Sequence, residues 1–400
     1  FGSSLHAVKI LTTTRLLSLQ SCSSMCRFSH TTTTSLPKRA FNVVRAVHRL
    51  EKLAESTRRQ VNGAPTSLRI ATLNLQYLAS FPEDHDAGVQ KLKEALGGPC
   101  PPDVVCVQEG LSGTDVLRDV GYELAVCAGA RGVAQSVREM VYHDDAALKT
   151  CRQDLQDELL CNQLYIRRGS NWVVEDVGVE QISSDLHLAG GGGRVSGTLA
   201  VRSMSWLKLC KAGVSGPAAF VMCTHISGGR FEDQYFVQQL AEERYQQTKQ
   251  CNDFFHLRRP GAQASDVGIL VGDFNATEAY SASGPMNAYF KFGIAGSEGV
   301  WSDAESVGIS TQEDLESSFK TYMVSPFKAL KEFGWTLAYG EEVGVTSAFG
   351  HLIDHMALSR PVPVESAEVI YLTNQKVKGK SADTDVVVTD HNAVKVSFQI

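Results

Sequence analysis

The 400-residue sequence lacks the features that mark several common protein classes. No stretch approaches 18 consecutive apolar residues, which argues against a membrane-spanning helix. None of the ten cysteines has a partner at CxxC spacing, which disfavours a structural zinc site. The glycine run 190–193 has no strand–GxGxxG–helix context, so it does not indicate a dinucleotide-binding turn. No repeat of 20–50 residues is present, which excludes a solenoid or propeller.

Acidic residues are absent from the first 50 positions, which contain seven Lys or Arg and many Ser and Thr. A basic, hydroxyl-rich segment without acids is typical of an organelle transit peptide. We therefore expect residues 1–65 to be a transit peptide or a disordered basic tail. The first alternative predicts a mitochondrial or plastid protein, and the second a cytoplasmic one. The remaining 350 residues carry 31 basic and 44 acidic residues, a formal charge of −13.

Short apolar segments recur through residues 66–400, with helical patterns between some of them. Helical spacing of apolar residues predicts helices within 88–96 and 231–257, whereas 296–350 is predicted to be loop or insertion. Many strands with interleaved helices predict one layered α/β or α+β domain over 66–400. The predicted strands are 68–75, 103–109, 161–167, 198–201, 218–226, 267–275, 351–358, 367–372 and 386–398.

Carboxylate, amide or imidazole groups occur at or near the ends of several of these strands. They are Asn74, Glu109, His225, Asp273, Asn275, Asp354, Asp390 and His391. A charged side chain inside an apolar strand is costly unless it is paired or binds a metal. Carboxylate and amide oxygens favour Mg²⁺ or Mn²⁺ over zinc. A hard cation with two histidines would provide the groups needed for phosphoester hydrolysis.

Six motifs follow one another in a fixed order along the body of the chain. They are Asn74, Gln108-Glu109, Thr224-His225, Gly272-Asp273-Phe274-Asn275, Ile353-Asp354-His355 and Thr389-Asp390-His391. This series resembles the endonuclease/exonuclease/phosphatase superfamily, the deoxyribonuclease-I-like group of Mg²⁺-dependent phosphoesterases. The resemblance covers about residue 67 to 400. It implies a four-layer sandwich in which two packed mixed β-sheets are flanked by helices.

The resemblance also implies which residues bind the metal and the substrate. Glu109 corresponds to the main metal-binding glutamate, with Asn74 and Asp390 near the metal. Asn162 and Tyr165 lie where some members carry a residue that contacts the substrate, although this match is loose.

The roles that the resemblance implies for five catalytic residues concern proton transfer and contact with the phosphate. His225 resembles the histidine that contacts the scissile phosphate or protonates the leaving group. Asp273 and Asn275 resemble the pair that holds the attacking water and the phosphate. His391 resembles the histidine that polarises the phosphate or activates water, and Asp354 would fix its tautomer.

Three further residues lie near these motifs, and one of them, Arg230, has two interpretations. Arg230 is equally well explained as a phosphate-binding arginine or as a surface arginine that begins a helix. His351 and His355 flank Asp354, and strand alternation turns His355 away from it, so we expect both to be structural.

These observations predict a Mg²⁺-dependent hydrolase of phosphoester bonds, of the phosphodiesterase or nuclease type, in which Mn²⁺ can substitute. The expected substrate is nucleic acid or a small phosphorylated molecule. An inositol-phosphate or sphingomyelin-type phosphoesterase is an alternative with the same site. A catalytically silent binding scaffold is an alternative of another class, although every expected catalytic position is occupied. The charge of −13 disfavours an extended grip on duplex DNA.

Overall fold

The computed structural model describes part of the chain, and every described residue belongs to one unit, His48–Ile400. The predicted basic segment 1–65 lies outside the described residues, as do the site candidates Arg230 and Asp390. The described residues are 67–75, 85–111, 116–129, 160–183, 202–213, 216–227, 237–277, 312–347, 351–372, 389 and 391–400.

Twelve strands and three α-helices lie in the described ranges. A π-helical turn, Phe254–Arg258, continues the second helix. The helices are α1 (His85–Leu96), α2 (Val237–Asp253) and α3 (Gln312–Glu332). The strands are β1 (Ser67–Asn74), β2 (Val104–Leu111), β3 (Tyr122–Gly129), β4 (Leu160–Arg167), β5 (Trp172–Gln181), β6 (Ser203–Lys211), β7 (Ala219–His225), β8 (Val267–Asp273), β9 (Thr336–Leu337), β10 (Asp354–Leu358), β11 (Val364–Ile370) and β12 (Ala393–Gln399).

The strands form two six-stranded sheets. The first has the order β11-β12-β1-β2-β4-β3, and the second has the order β5-β6-β7-β8-β10-β9. Each sheet contains one parallel pair, β1 with β2 and β7 with β8, and its remaining neighbours are antiparallel. Both sheets are therefore mixed, which confirms the predicted architecture.

Both faces of the central strands are buried, which explains why they read as continuous apolar runs rather than as alternating ones. In β1, Leu68 and Ile70 pack in the core between the two sheets. Ala71 and Leu73 face the other way and pack against Leu92 of α1. The first sheet therefore lies between the second sheet and α1.

The outer face of the second sheet is covered by α2 and α3, completing the four layers. Phe254 and Phe255, which follow α2, pack with Phe327 of α3 in a separate buried cluster under that sheet. Among the helices of the described residues, none has the length and apolarity needed to cross a membrane.

The structure corrects the prediction that residues 296–350 are loop, because α3 spans Gln312–Glu332. Pro326 lies inside this helix, and an internal proline normally argues against one. Burial of Tyr322, Met323 and Phe327 offsets that cost. Strands β3, β5, β6 and β9 were not predicted, and the predicted strand 198–201 lies outside the described residues.

Candidate active site

The carboxyl ends of the two parallel pairs meet at one end of the sandwich. Asn74 ends β1 and is paired in register with Gln108, which precedes Glu109 on β2. His225 and Asp273 end β7 and β8 and are direct register partners. A hydrogen bond from Nδ2 of Asn74 to Oδ2 of Asp273, 3.0 Å long, links the two sheets at this point.

Strands β10 and β12 run antiparallel to β8 and β1, and they contribute Asp354 and His391 at or just before their first residues. Asp354 is the first residue of β10 and pairs with Asp273. His391 lies two residues before β12, and the hydroxyl of Thr389 donates to the Asn74 carbonyl at 2.8 Å, which fixes this segment against β1. Because these strands run opposite to β8 and β1, their starting residues arrive at the same edge.

The Oδ2 atom of Asp273 is the point at which the site residues converge. Nδ2 of Asn74 lies 3.0 Å from this oxygen, Nε2 of His225 lies 3.5 Å away and Nε2 of His391 lies 3.8 Å away. Nδ2 of Asn74 also donates to Oε1 of Glu109 at 3.2 Å. Five of the residues predicted from the motifs are thus brought within contact distance of one another.

His391 is held by a carboxylate. Its Nδ1 lies 2.9 Å from Oδ2 of Asp354, and both side chains are buried. A carboxylate at this distance accepts the Nδ1 proton, so in the neutral ring Nε2 is the basic nitrogen. The other carboxylate oxygen of Asp354, Oδ1, is buried without a hydrogen-bond partner among the described residues.

His225 is held instead by an arginine that the sequence did not single out. Nη1 of Arg202 lies 3.0 Å from Nδ1 of His225. A guanidinium and an amide NH₂ can both only donate, and a neutral imidazole accepts at one nitrogen only. The charged guanidinium is the stronger donor, so we assign Nδ1 as the acceptor and place the ring proton on Nε2. Nδ2 of Asn275, 3.0 Å from Nε2, then donates to the Ile226 carbonyl at 3.0 Å rather than to the ring.

Burial lowers the pKa of His225 well below its ordinary value, and the charges of Arg202 and His391 lower it further. Burial also lowers the pKa of Arg202, but the carboxylates of Glu109 and Asp273 oppose that shift. The environment therefore favours a neutral imidazole beside a charged guanidinium.

Burial raises the pKa of Asp273 from 3.8 to about 7, and the nearby Asp354 carboxylate adds to the increase. The charge of His391 and hydrogen bonds from Asn74 and the Asn275 backbone act in the opposite direction. Two buried carboxylates so close together repel each other unless a proton or a cation lies with them.

Two site residues adopt the left-handed backbone conformation that residues other than glycine rarely use. Glu109 has a φ of 50° and lies where the register of β2 shifts between Val107 and Gly110, so a bulge turns its side chain toward the site. Asn275 has a φ of 48°, and its N–H donates to Oδ1 of Asp273 at 2.7 Å.

The glycine that precedes Asp273 is required by the close approach of two strands. Gly272 has a φ of 147°, and a Cβ placed on it would lie 1.9 Å from the Thr224 carbonyl oxygen on β7. Any side chain here would force β7 and β8 apart, separating His225 from Asp273.

The residues present fit a divalent cation. One ligand atom each from Asp273, Asp354 and His391 lies within 4.8 Å of the other two. Glu109 adds a carboxylate at the same place, where its Oε1 accepts from Nδ2 of Asn74 at 3.2 Å. A donor set made mainly of oxygens suits a hard cation, whose charge would also relieve the carboxylate repulsion at Asp273.

Two residues predicted to bind substrate have other surroundings. Asn162 lies in the interior, and its Nδ2 donates to the Ser203 carbonyl at 2.7 Å, next to Arg202. Tyr165 is fully buried in the core beneath α1 and donates its hydroxyl to Gln163. Positions 162 and 165 differ by an odd number of residues in one strand, so their side chains point to opposite faces and Tyr165 does not join the site.

His355, which was expected to be structural, lies in the core. Its Nε2 is 2.8 Å from the Ala276 carbonyl oxygen, and its ring packs edge-on against Phe327. Burial lowers its pKa from 6.5 to about 4.

No protein-family model and no curated protein matches the chain. Solved structures that resemble it include an endonuclease/exonuclease/phosphatase from Bacteroides vulgatus, with 15% identity and a TM-score of 0.47, covering 84% of this chain and 100% of that one. Another is D. rerio TDP2 complexed with a single-strand DNA product, with 13% identity, a TM-score of 0.45 and coverage of 84% and 100%. A functionally unknown protein from Enterococcus faecalis has 11% identity, a TM-score of 0.47 and coverage of 82% and 98%. In its ordered motifs and its two packed mixed sheets, the chain resembles the endonuclease/exonuclease/phosphatase superfamily.

Proposed function

We propose that this protein is a Mg²⁺-dependent phosphoesterase of the phosphodiesterase or nuclease type, in which Mn²⁺ can replace Mg²⁺. The observation that supports this most directly is the convergence of two histidines on one carboxylate oxygen. Nε2 of His225 and Nε2 of His391 lie 3.5 Å and 3.8 Å from Oδ2 of Asp273. This arrangement provides a proton donor and a proton acceptor around one cation-binding group.

In this proposal Glu109 and Asp273 would hold the cation, with Asp390 as a further ligand predicted from the sequence. Asn74 would lie beside the cation, where its Nδ2 donates to both carboxylates. When bound, the cation neutralises charge on the phosphate oxygens. The raised pKa of Asp273 supports its role as a ligand, because a carboxylate crowded by Asp354 gains most from a nearby positive charge.

His391 acts as the proton acceptor. Asp354 holds the proton on Nδ1, so Nε2 takes the proton from an attacking water and Asp354 stabilises the imidazolium that results. The hydrogen bond also fixes the ring plane, so the acceptor is oriented before the substrate arrives.

His225 acts as a neutral donor from Nε2 to a phosphate oxygen or to the leaving group. Because Arg202 and burial keep the ring neutral, its donor proton is on the nitrogen that faces the site. A neutral imidazole that donates without being charged can stabilise developing negative charge. The guanidinium of Arg202 adds positive charge on the same side.

A small phosphoester or a single-stranded nucleic acid suits the body of this chain better than a long duplex. Residues 51–400 carry a formal charge of −13, and each phosphate contact on a duplex adds about −0.9 to the slope of log affinity against log salt. We expect only about two to four such contacts and therefore a shallow slope. A steep slope of about −6 would instead indicate an extended basic track and a duplex endonuclease.

A metal-dependence screen tests the proposal. The purified chain is incubated with Mg²⁺, Mn²⁺ or a chelator, and with single-stranded DNA, duplex DNA, RNA, inositol phosphates or sphingomyelin in separate reactions. We expect hydrolysis of at least one substrate that is lost in chelator and in the His391→Ala variant. Full activity in chelator would overturn the metal assignment, and no hydrolysis of any phosphoester would support a silent scaffold.

A further inference from the structure

A fully buried arginine lies behind the site, and none of the motifs includes it. Arg244 of α2 has no exposed surface, and its guanidinium donates to three backbone carbonyls. Nη1 donates to Ser227 at 3.0 Å, and Nη2 donates to Phe274 at 3.1 Å and to Asn275 at 2.8 Å.

These carbonyls belong to the two segments that carry the catalytic groups of the second sheet. Ser227 follows His225 by two residues, at the end of β7. Phe274 and Asn275 directly follow Asp273, at the end of β8. The planar guanidinium of Arg244 therefore links both segments. The single ammonium group of a lysine could not make the same set of hydrogen bonds.

Two neighbours hold the guanidinium and its target in place. Its central carbon lies 4.0 Å from the centre of the Tyr322 ring of α3, a cation–π contact. Gln247, one turn along α2, accepts from the Ser227 N–H at 2.9 Å and donates to the Ser227 hydroxyl at 2.7 Å. Arg244 and Gln247 together grip both sides of the Ser227 backbone.

We propose that Arg244 is a positioning residue that sets the distance and orientation between His225 and the Asp273–Asn275 turn. Its bond to the Asn275 carbonyl helps to hold the left-handed backbone conformation of Asn275, a conformation that asparagine adopts more readily than most residues other than glycine. That turn places Nδ2 of Asn275 3.0 Å from Nε2 of His225. The inference rests on the proposed phosphoesterase function, because it assigns Arg244 a role in orienting those groups.

Arg259 offers a matched control at the other end of β8. Its side chain is also largely buried, lies 4.1 Å from the centre of the Phe255 ring, and donates to the Gln263 carbonyl and to Asp266, which precedes β8. Since β8 is seven residues long, the two arginines grip points about 20 Å apart.

The test compares Arg244→Lys with Arg259→Lys in the full chain, using the substrate found in the screen. We expect both variants to lose thermal stability, but only Arg244→Lys to lower kcat, by about 10-fold or more with KM within about twofold, since small displacements of reacting groups are costly. A kcat for Arg244→Lys that matches the Arg259→Lys value would show that Arg244 is only structural and would overturn the proposal.

If Arg244→Lys does not fold, Tyr322→Leu decides, since it removes the ring that supports the guanidinium and leaves the donors in place. A lowered kcat with unchanged KM supports the proposal, and an unchanged kcat overturns it.

If the unaltered chain hydrolyses nothing, the phosphoesterase function fails separately, and hydrogen exchange decides the structural claim. Faster exchange of the Ser227 and Asn275 N–H groups in Arg244→Lys or Tyr322→Leu than in Arg259→Lys supports it, and equal exchange overturns it.

Discussion

His225 and His391 direct their Nε2 atoms toward the same oxygen of Asp273, but the groups behind them carry opposite charge. Nδ1 of His391 faces the Asp354 carboxylate at 2.9 Å, whereas Nδ1 of His225 faces the Arg202 guanidinium at 3.0 Å. A carboxylate accepts a hydrogen bond from the ring nitrogen that it faces, whereas a guanidinium donates a hydrogen bond to the nitrogen that it faces. The two imidazoles therefore carry their protons on different nitrogens.

This difference assigns the two histidines separate tasks without any difference in their own chemistry. His391 presents a basic Nε2 and has a carboxylate to stabilise its charged form, which suits a proton acceptor. His225 presents an N–H and is kept neutral, which suits a donor. In the proposed mechanism, the group behind each ring would determine whether that histidine accepts or donates a proton.

The largest effect is expected from neutralising the partner of His391. Asp354→Asn should lower kcat by about 100-fold or more with little change in KM, because the amide no longer holds the productive tautomer. Steady-state kinetics measure both parameters. His355→Gln is the matched control, since it changes the adjacent core residue and should leave kcat within about twofold.

A double-mutant cycle tests whether Asp354 acts through His391. If it does, Asp354→Asn combined with His391→Ala should cost much less activation free energy than the sum of the single variants. Additive losses would break the comparison, because the two residues would then act independently.

A smaller effect is expected from removing the partner of His225. Arg202→Gln should raise the pKa of His225 toward its ordinary 6.5, although burial still holds it below that value. Turnover should fall by about 10-fold at neutral pH, and the acid limb of the kcat/KM profile should move to higher pH. A profile whose acid limb is unmoved would mean that Arg202 does not control this histidine.

The smallest effect is expected in the pH dependence of stability, and it arises from Asp273, whose Oδ2 lies near both histidines. Because the folded-state pKa of Asp273 is raised from 3.8 to about 7, the metal-free folded protein binds more protons than the unfolded chain between these values. The contribution of Asp273 to stability therefore decreases as pH rises through 7.

Mg²⁺ binds the ionised carboxylate, so it should raise Tm more at pH 8 than at pH 6, by a few degrees. Thermal unfolding with and without Mg²⁺ measures this difference, and Asp273→Asn should abolish it. An equal Mg²⁺ effect at both pH values would place the cation away from Asp273.

The polar groups at the ends of apolar runs could be predicted from the sequence, because a polar residue that ends an apolar strand is expected to be buried. Asn74, Glu109, His225, Asp273, Asp354 and His391 were selected in this way, and the motif series added the role expected of each. Arg202 and Arg244 were missed because an arginine beside a strand or within a polar helix normally lies on the surface. The packing of α2 under the second sheet buries Arg244. Arg202, which is half-buried, lies just before β6 and meets His225 at the end of β7.

The same distinction explains the elements that were predicted wrongly or not at all. Helix α3 contains Pro326, and an internal proline argues against a helix when only the local sequence is considered. The burial of apolar side chains that offsets its cost is visible only in the folded structure. Tyr165 was grouped with Asn162 on proximity in sequence, although the two-residue period of a strand separates them.

Gly272 has a consequence for how such sites change during evolution. A Cβ at this position would lie 1.9 Å from the Thr224 carbonyl oxygen of β7, so only the hydrogen atom of glycine fits there. A descendant with alanine at this position would keep every catalytic residue of the motif series. Its strands β7 and β8 would nevertheless be displaced, by about an ångström, and the catalytic groups would be misaligned. Loss of activity in such a lineage would precede any change in its reactive residues, and a search by those residues alone would count it among the active enzymes.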